Sequence, residues 1–180
     1  MKQPVPDEVI LGLLRYKRAH GYELLDSFRS PNQLGRMWTL STSQLYAVLK
    51  RLEEAEEISG EQVNSEDAPA KIVYSITGKG LLKLNNWLYD PEPSASVHRI
   101  RVLFLSRLYI ADLLKVKTEK IINNQKKACV SQLKEFLDER KKTSNTFEKL
   151  AIDFIVGQLK AAIVWLDQIS ISLSTIKEDA

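Results

Sequence analysis

The sequence predicts a mainly helical α+β chain on three patterns. Apolar residues recur at helical spacing through residues 7 to 57, the period changes to two between Ile58 and Ile76, and from Val97 onward it is helical throughout. Together these give short helices with a β-hairpin in the N-terminal half and an all-helical C-terminal half. The punctuated stretch Asp90-Pro91-Glu92-Pro93-Ser94 marks the boundary. Residues 1–90 are then one domain, 91–96 a linker and 97–180 a second domain.

The elements follow in order. Pro6 and Asp7 open a helix with Val9, Ile10, Leu13 and Leu14 as its apolar stripe, ending near Ala19 after Arg15, Lys17 and Arg18, where cations suit the helix dipole. His20-Gly21 turns the chain into a second helix with Tyr22, Leu24, Leu25 and Phe28 inward, broken at Ser30-Pro31-Asn32. The third runs from Ser41 to Glu57. Ile58 to Val63 and Lys71 to Ile76 read as two strands joined through Asn64 to Pro69, with Ile72, Tyr74 and Ile76 on one face. Thr77 then caps a helix that turns Leu81, Leu84, Trp87 and Leu88 inward. Three helices followed by a hairpin and a fourth helix describe a winged helix-turn-helix, in which the third helix is the reader.

That third helix carries the candidate site. Leu45, Val48, Leu49 and Leu52 form a buried stripe at i, i+3, i+4 and i+7. Opposite it fall Ser43, Ala47 and Lys50, flanked by Tyr46 and Arg51, with Gln44 near the N-terminus. Small, hydrogen-bonding and basic groups suit a major groove, and Ser41 with Gln44 fits a capping box. The same pattern also fits a solvated surface helix. If it reads DNA, Ser43, Gln44 and Ala47 approach base edges, while Ser41 and Lys50 lie near the backbone.

Composition narrows the classes. The chain has 180 residues, 44% of them apolar, enough to bury a core. It shows no apolar run of membrane-spanning length and no secretory N-terminal pattern, so a cytoplasmic protein without membrane contact is expected. The single cysteine, Cys129, excludes an intrachain disulfide and reads as a buried structural thiol. His20 and His98 are the sole histidines, and no HExxH, CxxC, phosphate-loop or triad pattern occurs. Neither an enzyme nor a cofactor is expected. His20 reads as a turn or cap residue, His98 as solvated, and the Glu53-Glu54-Glu56-Glu57 run as a charged helix end. Residues 1–96 hold 11 Lys/Arg against 13 Asp/Glu, and residues 97–180 hold 15 against 10. Nucleic-acid contact must therefore rest on local cations such as Lys50 with Arg51, or Arg15, Lys17 and Arg18. The acidic balance leaves open a winged-helix adaptor that binds protein and not DNA.

The stretches ILGLL (Ile10 to Leu14), HGYEL (His20 to Leu24), SQLYAVLKRLEE (Ser43 to Glu54), and KIVYSITGKG followed by LNNWL resemble the PadR family of bacterial transcriptional regulators, in order and with its spacing. The resemblance implies a winged helix that binds double-stranded operator DNA as a homodimer, usually as a repressor. It also places Tyr22 and Tyr46 on the DNA-facing side, where a phenol bonds phosphate. Some PadR relatives respond to phenolic acids or drug-like aromatics, so an aromatic effector is implied, and Trp38, Trp87 and Trp165 on both sides of the linker are structural residues able to hold one. One departure concerns the wing tip. Where relatives carry a run like G-R-P-R-K, this chain has Asp67-Ala68-Pro69-Ala70-Lys71 after Glu66, leaving Lys71 as the tip's cation. Two carboxylates there would be repelled by phosphate.

The C-terminal half reads as an all-helical dimerisation domain. Val97, Ile100, Leu103, Phe104, Leu108 and Ala111 make one stripe. Thr118 caps a second helix carrying Ile121, Ile122, Cys129, Leu133, Phe136 and Leu137. A third runs from Phe147 to Ile176 with Leu150, Phe154, Leu159, Ile163 and Leu166 in its seam, and with Ile152, Ile155, Val156, Val164 and Trp165 beside it. More than one stripe is apolar, so a second chain is expected to cover Phe147, Leu150, Phe154, Leu159, Ile163 and Leu166. A closed monomeric bundle is the competing arrangement.

Overall fold

The structure, a computed structural model, describes residues 4–65 and 68–178, with side chains for residues 4–63 and 71–170. The acidic wing-tip pair Glu66 and Asp67 lies outside the described residues, and Leu173 and Ile176 lie outside the described side chains. The chain forms α1 (Asp7–Tyr16), β1 (Ala19–His20), α2 (Gly21–Arg29), α3 (Thr42–Glu54), β2 (Ile58–Ser65), β3 (Ala68–Ile76) and α4 (Gly78–Leu88). Then come α5 (Val97–Arg99), a π-helical turn (Ile100–Phe104), α6 (Leu105–Leu113), α7 (Glu119–Lys142) and α8 (Thr146–Glu178). This is a winged helix-turn-helix followed by helices.

Two compact units emerge: Met1–Tyr89 with Val102–Val116, and Asp90–Arg101 with Lys117–Ala180. Residues 102–116, read from the sequence as part of the second domain, thus belong to the first unit. The reason is packing. Gly12 on α1 leaves room for Ile110, whose Cγ2 would lie 2.5 Å from a Cβ at that glycine, and Val9, Ile10, Leu11, Leu13 and Leu14 are all buried.

In the first unit Leu24, Leu25 and Phe28 of α2 and Leu45, Val48, Leu49 and Leu52 of α3 are buried. Each fully buried leucine contributes about 2 kcal/mol. Leu34 and Trp38, from the connection between α2 and α3, complete this core, with Trp38 edge-on to Phe28 at 6.3 Å. The Trp38 indole N–H donates to Ser106 Oγ at 2.8 Å, and that hydroxyl donates to the Val102 carbonyl at 2.6 Å, so neither buried polar group is orphaned. The sheet has the order β1-β3-β2, antiparallel, with Ala19 opposite Tyr74 and Ile58 opposite Ile76. The predicted hairpin therefore gains a third strand where a turn was expected. Two residues are too few to show a period. Of the face that Ile72 and Tyr74 were expected to share with Ile76, Tyr74 is buried while Ile72 is 49% exposed.

The second unit is built on α7 and α8, joined by Thr143–Asn145. Arg140 pairs with Asp153 and Lys126 with Asp167, which fixes one antiparallel register along the pair. The expected linker is packed: Pro93 and Ala95 are buried, Asn124 donates to the Asp90 carbonyl at 3.0 Å, and Gln125 to that of Ser94 at 2.9 Å. Thr118 precedes α7 without a side-chain cap bond, contrary to expectation, because it is buried with helical backbone angles. Cys129 is buried, and desolvation raises its thiol pKa.

Candidate nucleic-acid interface

Helix α3 is set by its two ends and by one ionic brace. At its start Ser41 Oγ accepts from the Gln44 N–H at 3.2 Å, and Gln44 Oε1 accepts from the Ser41 N–H at 2.9 Å, a complete capping box. At its end Glu56 takes a left-handed φ of 57°, with Glu57 N–H on the Leu52 carbonyl and Glu56 N–H on that of Glu53, a Schellman turn without glycine. Between them Arg51 donates to Asp7 through Nη2 at 2.5 Å and Nε at 3.3 Å. Lys83 lies 3.7 Å from the same carboxylate and 2.7 Å from Glu57. Asp7 is buried, so these cations fix the roll of α3 against α1 and α4.

The outward face is open. Ser41, Thr42, Ser43, Gln44, Tyr46, Ala47 and Lys50 are all exposed. Ser41 Oγ and Ser43 Oγ are 3.1 Å apart, a pair of hydroxyls at the mouth of the helix. The Gln44 carbonyl is engaged in the cap, leaving its NH2 to donate outward; a bidentate grip on adenine would require releasing the cap. Tyr46 stands against the start of α2, its Oη 2.7 Å from the position of a Cβ at Gly21. Next to Gly21, Tyr22 is 67% exposed and so does not belong to the inward stripe expected for α2. His20 caps α2: its backbone N–H donates to Glu23 at 2.9 Å, a bond that holds the Glu23 carboxyl below the usual range, and its Nδ1 lies 3.2 Å from the Ile72 carbonyl. Lys71 is exposed on β3, opposite Val63.

Several cations expected to serve this face are held by carboxylates. Arg51 belongs to the brace, Lys17 pairs with Glu23 at 3.2 Å, Arg18 with Glu61, and Lys50 lies 3.8 Å from Glu54. The exposed pairs are weak and exchange readily for phosphate; the Arg51–Asp7 pair, buried at its acid end, does not. The brace and the Tyr46–Gly21 contact escaped sequence reading because they join residues far apart in the chain.

The expected dimer face divides. Leu159 and Leu166 are buried within the chain and Ile163 is half-buried, whereas Phe147, Leu150 and Phe154 are 80%, 62% and 67% exposed. Leu159 and Leu166 are thus taken by the chain's own packing and do not line an outer seam. The exposed stripe continues instead through Gly157, Ala161 and Val164, at alternating steps of three and four residues.

Two of the three tryptophans are engaged in the first unit: Trp38 by Ser106, and Trp87 by the Arg107 guanidinium 5.3 Å from its ring centre. A cavity of about 600 Å³ in the first unit is lined instead by Tyr16 and Tyr89, leucines of α4 and α6, and the cations Arg15 and Lys115. Among the described residues there is no group of three or more His, Cys, Asp or Glu that could hold a metal ion, and no helix long and apolar enough to cross a membrane.

Residues 10–86 match the transcriptional regulator PadR-like family. The negative transcriptional regulator PadR of Bacillus subtilis (strain 168) is 30% identical over 118 residues, an alignment spanning 62% of this chain and 64% of that protein. Among solved structures, B. subtilis PadR in complex with operator DNA aligns at 21% identity and TM-score 0.48, covering 94% of this chain and 97% of that one. The same protein in complex with p-coumaric acid aligns at 21% identity and TM-score 0.42, covering 94% and 96%. Residues 10–86 of this chain are thus similar to the PadR-like family of transcriptional regulators, and the chain spans about 64% of the curated relative that it matches.

Proposed function

We propose that this chain binds operator DNA as a homodimeric repressor, relieved by an aromatic small molecule. The observation that carries the reading is the outward face of α3, exposed from Ser41 to Lys50 while its opposite stripe is fully buried. Ser43, Gln44 and Ala47 approach base edges; Ser41, Tyr22, Tyr46 and Lys50 bond the backbone, with Lys71 contributing from the wing. The first unit, residues 1–89 with 102–116, then serves in DNA binding, and the second, residues 90–101 with 117–180, in dimerisation. Phe147, Leu150 and Phe154 of α8 meet a second copy, and twofold symmetry sets the two α3 helices one turn of DNA apart, about 34 Å, over an inverted repeat. Because B. subtilis PadR is a relative seen with operator DNA and with p-coumaric acid, both ligand classes are supported here, and the tyrosine-lined cavity has room for an aromatic acid.

A second reading, an adaptor that binds protein and not DNA, is favoured by the carboxylates on Lys17, Arg18 and Lys50. Fluorescence anisotropy with DNA upstream of the chain's own gene, over a salt series, separates the two. A regulator shows affinity that falls steeply with salt, and Lys50→Ala flattens that slope by about 1. Affinity that ignores salt, or that Lys50→Ala leaves untouched, would favour the adaptor.

A further inference from the structure

Of the three side chains placed at base edges, two carry no fixed hydrogen-bond polarity. Ala47 offers a methyl group alone, and the Ser43 hydroxyl, 3.1 Å from that of Ser41, can donate or accept. Gln44 differs. Its Oε1 accepts from the Ser41 backbone N–H at 2.9 Å, while its own backbone N–H donates to Ser41 Oγ at 3.2 Å. The side-chain amide cannot be turned over in this position, because a backbone N–H only donates and an NH2 set against it would put two donors face to face. Reversal would also orphan a backbone amide at the helix start. The acceptor of Gln44 is therefore used within the helix, and its exposed end presents N–H donors at the mouth of α3. That first turn is the part of a reader helix that meets base edges.

We propose that Gln44, fixed by its capping box as a donor, selects guanine at one base pair of each half-site. This rests on the regulator reading and adds to it the chemistry of the base. In the major groove guanine presents two acceptors, N7 and O6, side by side, whereas cytosine presents its N4 amino donor and would set it against the Gln44 NH2. Thymine and adenine lie between, with one acceptor each, and adenine adds a donor at N6. The bidentate glutamine grip on adenine needs the amide oxygen as well as the NH2, and here that oxygen holds Ser41. An uncapped glutamine at this position would favour adenine; the cap turns it toward guanine.

Competition anisotropy tests it, with the full chain on DNA upstream of its own gene and each base pair of a half-site changed in turn to the other three. The parent should prefer guanine at one position by about tenfold over cytosine, within the usual cost of one wrong base. Gln44→Glu is the deciding variant. Glutamate keeps the capping box, since one carboxylate oxygen still accepts from the Ser41 N–H, but the other replaces the outward donor by an acceptor. Its added charge weakens binding to every operator by a common factor, so the ratio between operators is what is read. At that position alone the ratio should reverse, with cytosine favoured by about tenfold. Gln44→Met, close in size and without a side-chain N–H donor or oxygen acceptor, should level the two, and circular dichroism of each variant establishes that it is folded. The proposal is overturned if the parent prefers adenine or thymine at the position that Gln44→Met levels, or if Gln44→Glu changes all operators by one factor and reverses none. A parent that binds no DNA in the salt series overturns the regulator reading as well, and that failure is recognised before any base is changed.

Discussion

At the level of single residues, what α3 presents depends on small contacts that fix where a side chain stands. Tyr46 occupies the space over Gly21, so Gly21→Ala must push the phenol away; the added Cβ would lie 2.7 Å from Oη and 2.9 Å from the ring carbon bearing it. Alanine near a helix start is otherwise benign, and in a helix it is favoured over glycine by about 0.5–1 kcal/mol. The expected outcome is a separation of effects: operator affinity falls about tenfold in a binding assay, as for loss of a well-placed phosphate contact, while the thermal midpoint changes little. Equal affinity would show that Tyr46 has no role at the backbone. Glu8 gives a test at the same scale that does not involve DNA. Burial raises its carboxyl above the usual 4.5, opposed by its own backbone hydrogen bond and the nearby Lys83 charge. The folded chain then holds that proton more tightly than the unfolded chain, so stability falls as pH rises from below 4.5 through the folded value, and the whole cost is present at pH 7. Glu8→Gln should therefore be more stable than the parent at pH 7, with the advantage vanishing below about pH 4.5 in urea melts at the two pH values. A Glu8→Gln gain that persisted at pH 4 would assign the effect to packing.

Helices and strands were legible wherever their signal was local. The Ser41–Gln44 capping box, the Leu45 to Leu52 stripe and the Thr77 cap of α4, whose hydroxyl accepts from the Gly80 N–H at 3.1 Å, follow from residues three or four positions apart. What joins elements was not legible. Nothing around Ala19 announces a strand, because its two residues are held by Val73 and Tyr74, more than fifty positions later. Nothing in Glu53 to Glu57 announces the left-handed turn at Glu56, where sequence rules look for glycine. Arg51 is the instructive case: helical geometry put it on the flank of the candidate interface, and the placement of Asp7 on α1 draws it into the brace. Asp7→Asn should show what the brace does for the reader helix. It leaves Arg51 and Lys83 without their shared charge and should cost about 2 kcal/mol in chemical denaturation, below the 3–5 typical of fully buried pairs because the Arg51 end is half exposed. On the regulator reading it should also weaken operator binding under conditions where the variant is fully folded, since α3 is then free to roll. Intact affinity at that point would restrict the brace to stability.

For the whole molecule, the question is what covers α8, a helix of 33 residues and so about 50 Å long. Its inner side is satisfied: Ile152, Val156, Leu159 and Leu166 are buried, and ion pairs to α7 flank it. The outer side runs Phe147, Leu150, Phe154, Gly157, Ala161, Val164, spaced as the seam of a two-helix interface, with large residues at one end and small ones in the middle. Three side chains there, at 80%, 62% and 67% exposure, place a large apolar area in water on one stripe, more than scattered surface hydrophobes explain. The sequence showed that α8 has too many apolar residues for one partner, but a periodicity of 3.6 could not sort which of two adjacent stripes faces inward, and it placed Leu159 and Leu166 on the wrong one. On the proposed homodimer, a second copy would fit the outer stripe, because Gly157, with nothing within 4 Å of its Cβ position, would let another backbone approach closely at the centre of a symmetric crossing. The prediction follows from that sorting. Phe154→Asp puts a charge on the outer stripe and should convert the chain to the 20.5 kDa monomer in sedimentation, while leaving the helical signal intact. Operator affinity should then drop at least a hundredfold, as avidity between two half-sites is lost without any change to α3. A Gly157→Leu variant, which adds apolar surface but blocks close approach, should also dissociate. If it instead assembles as well as the parent does, the two α8 helices do not cross at Gly157.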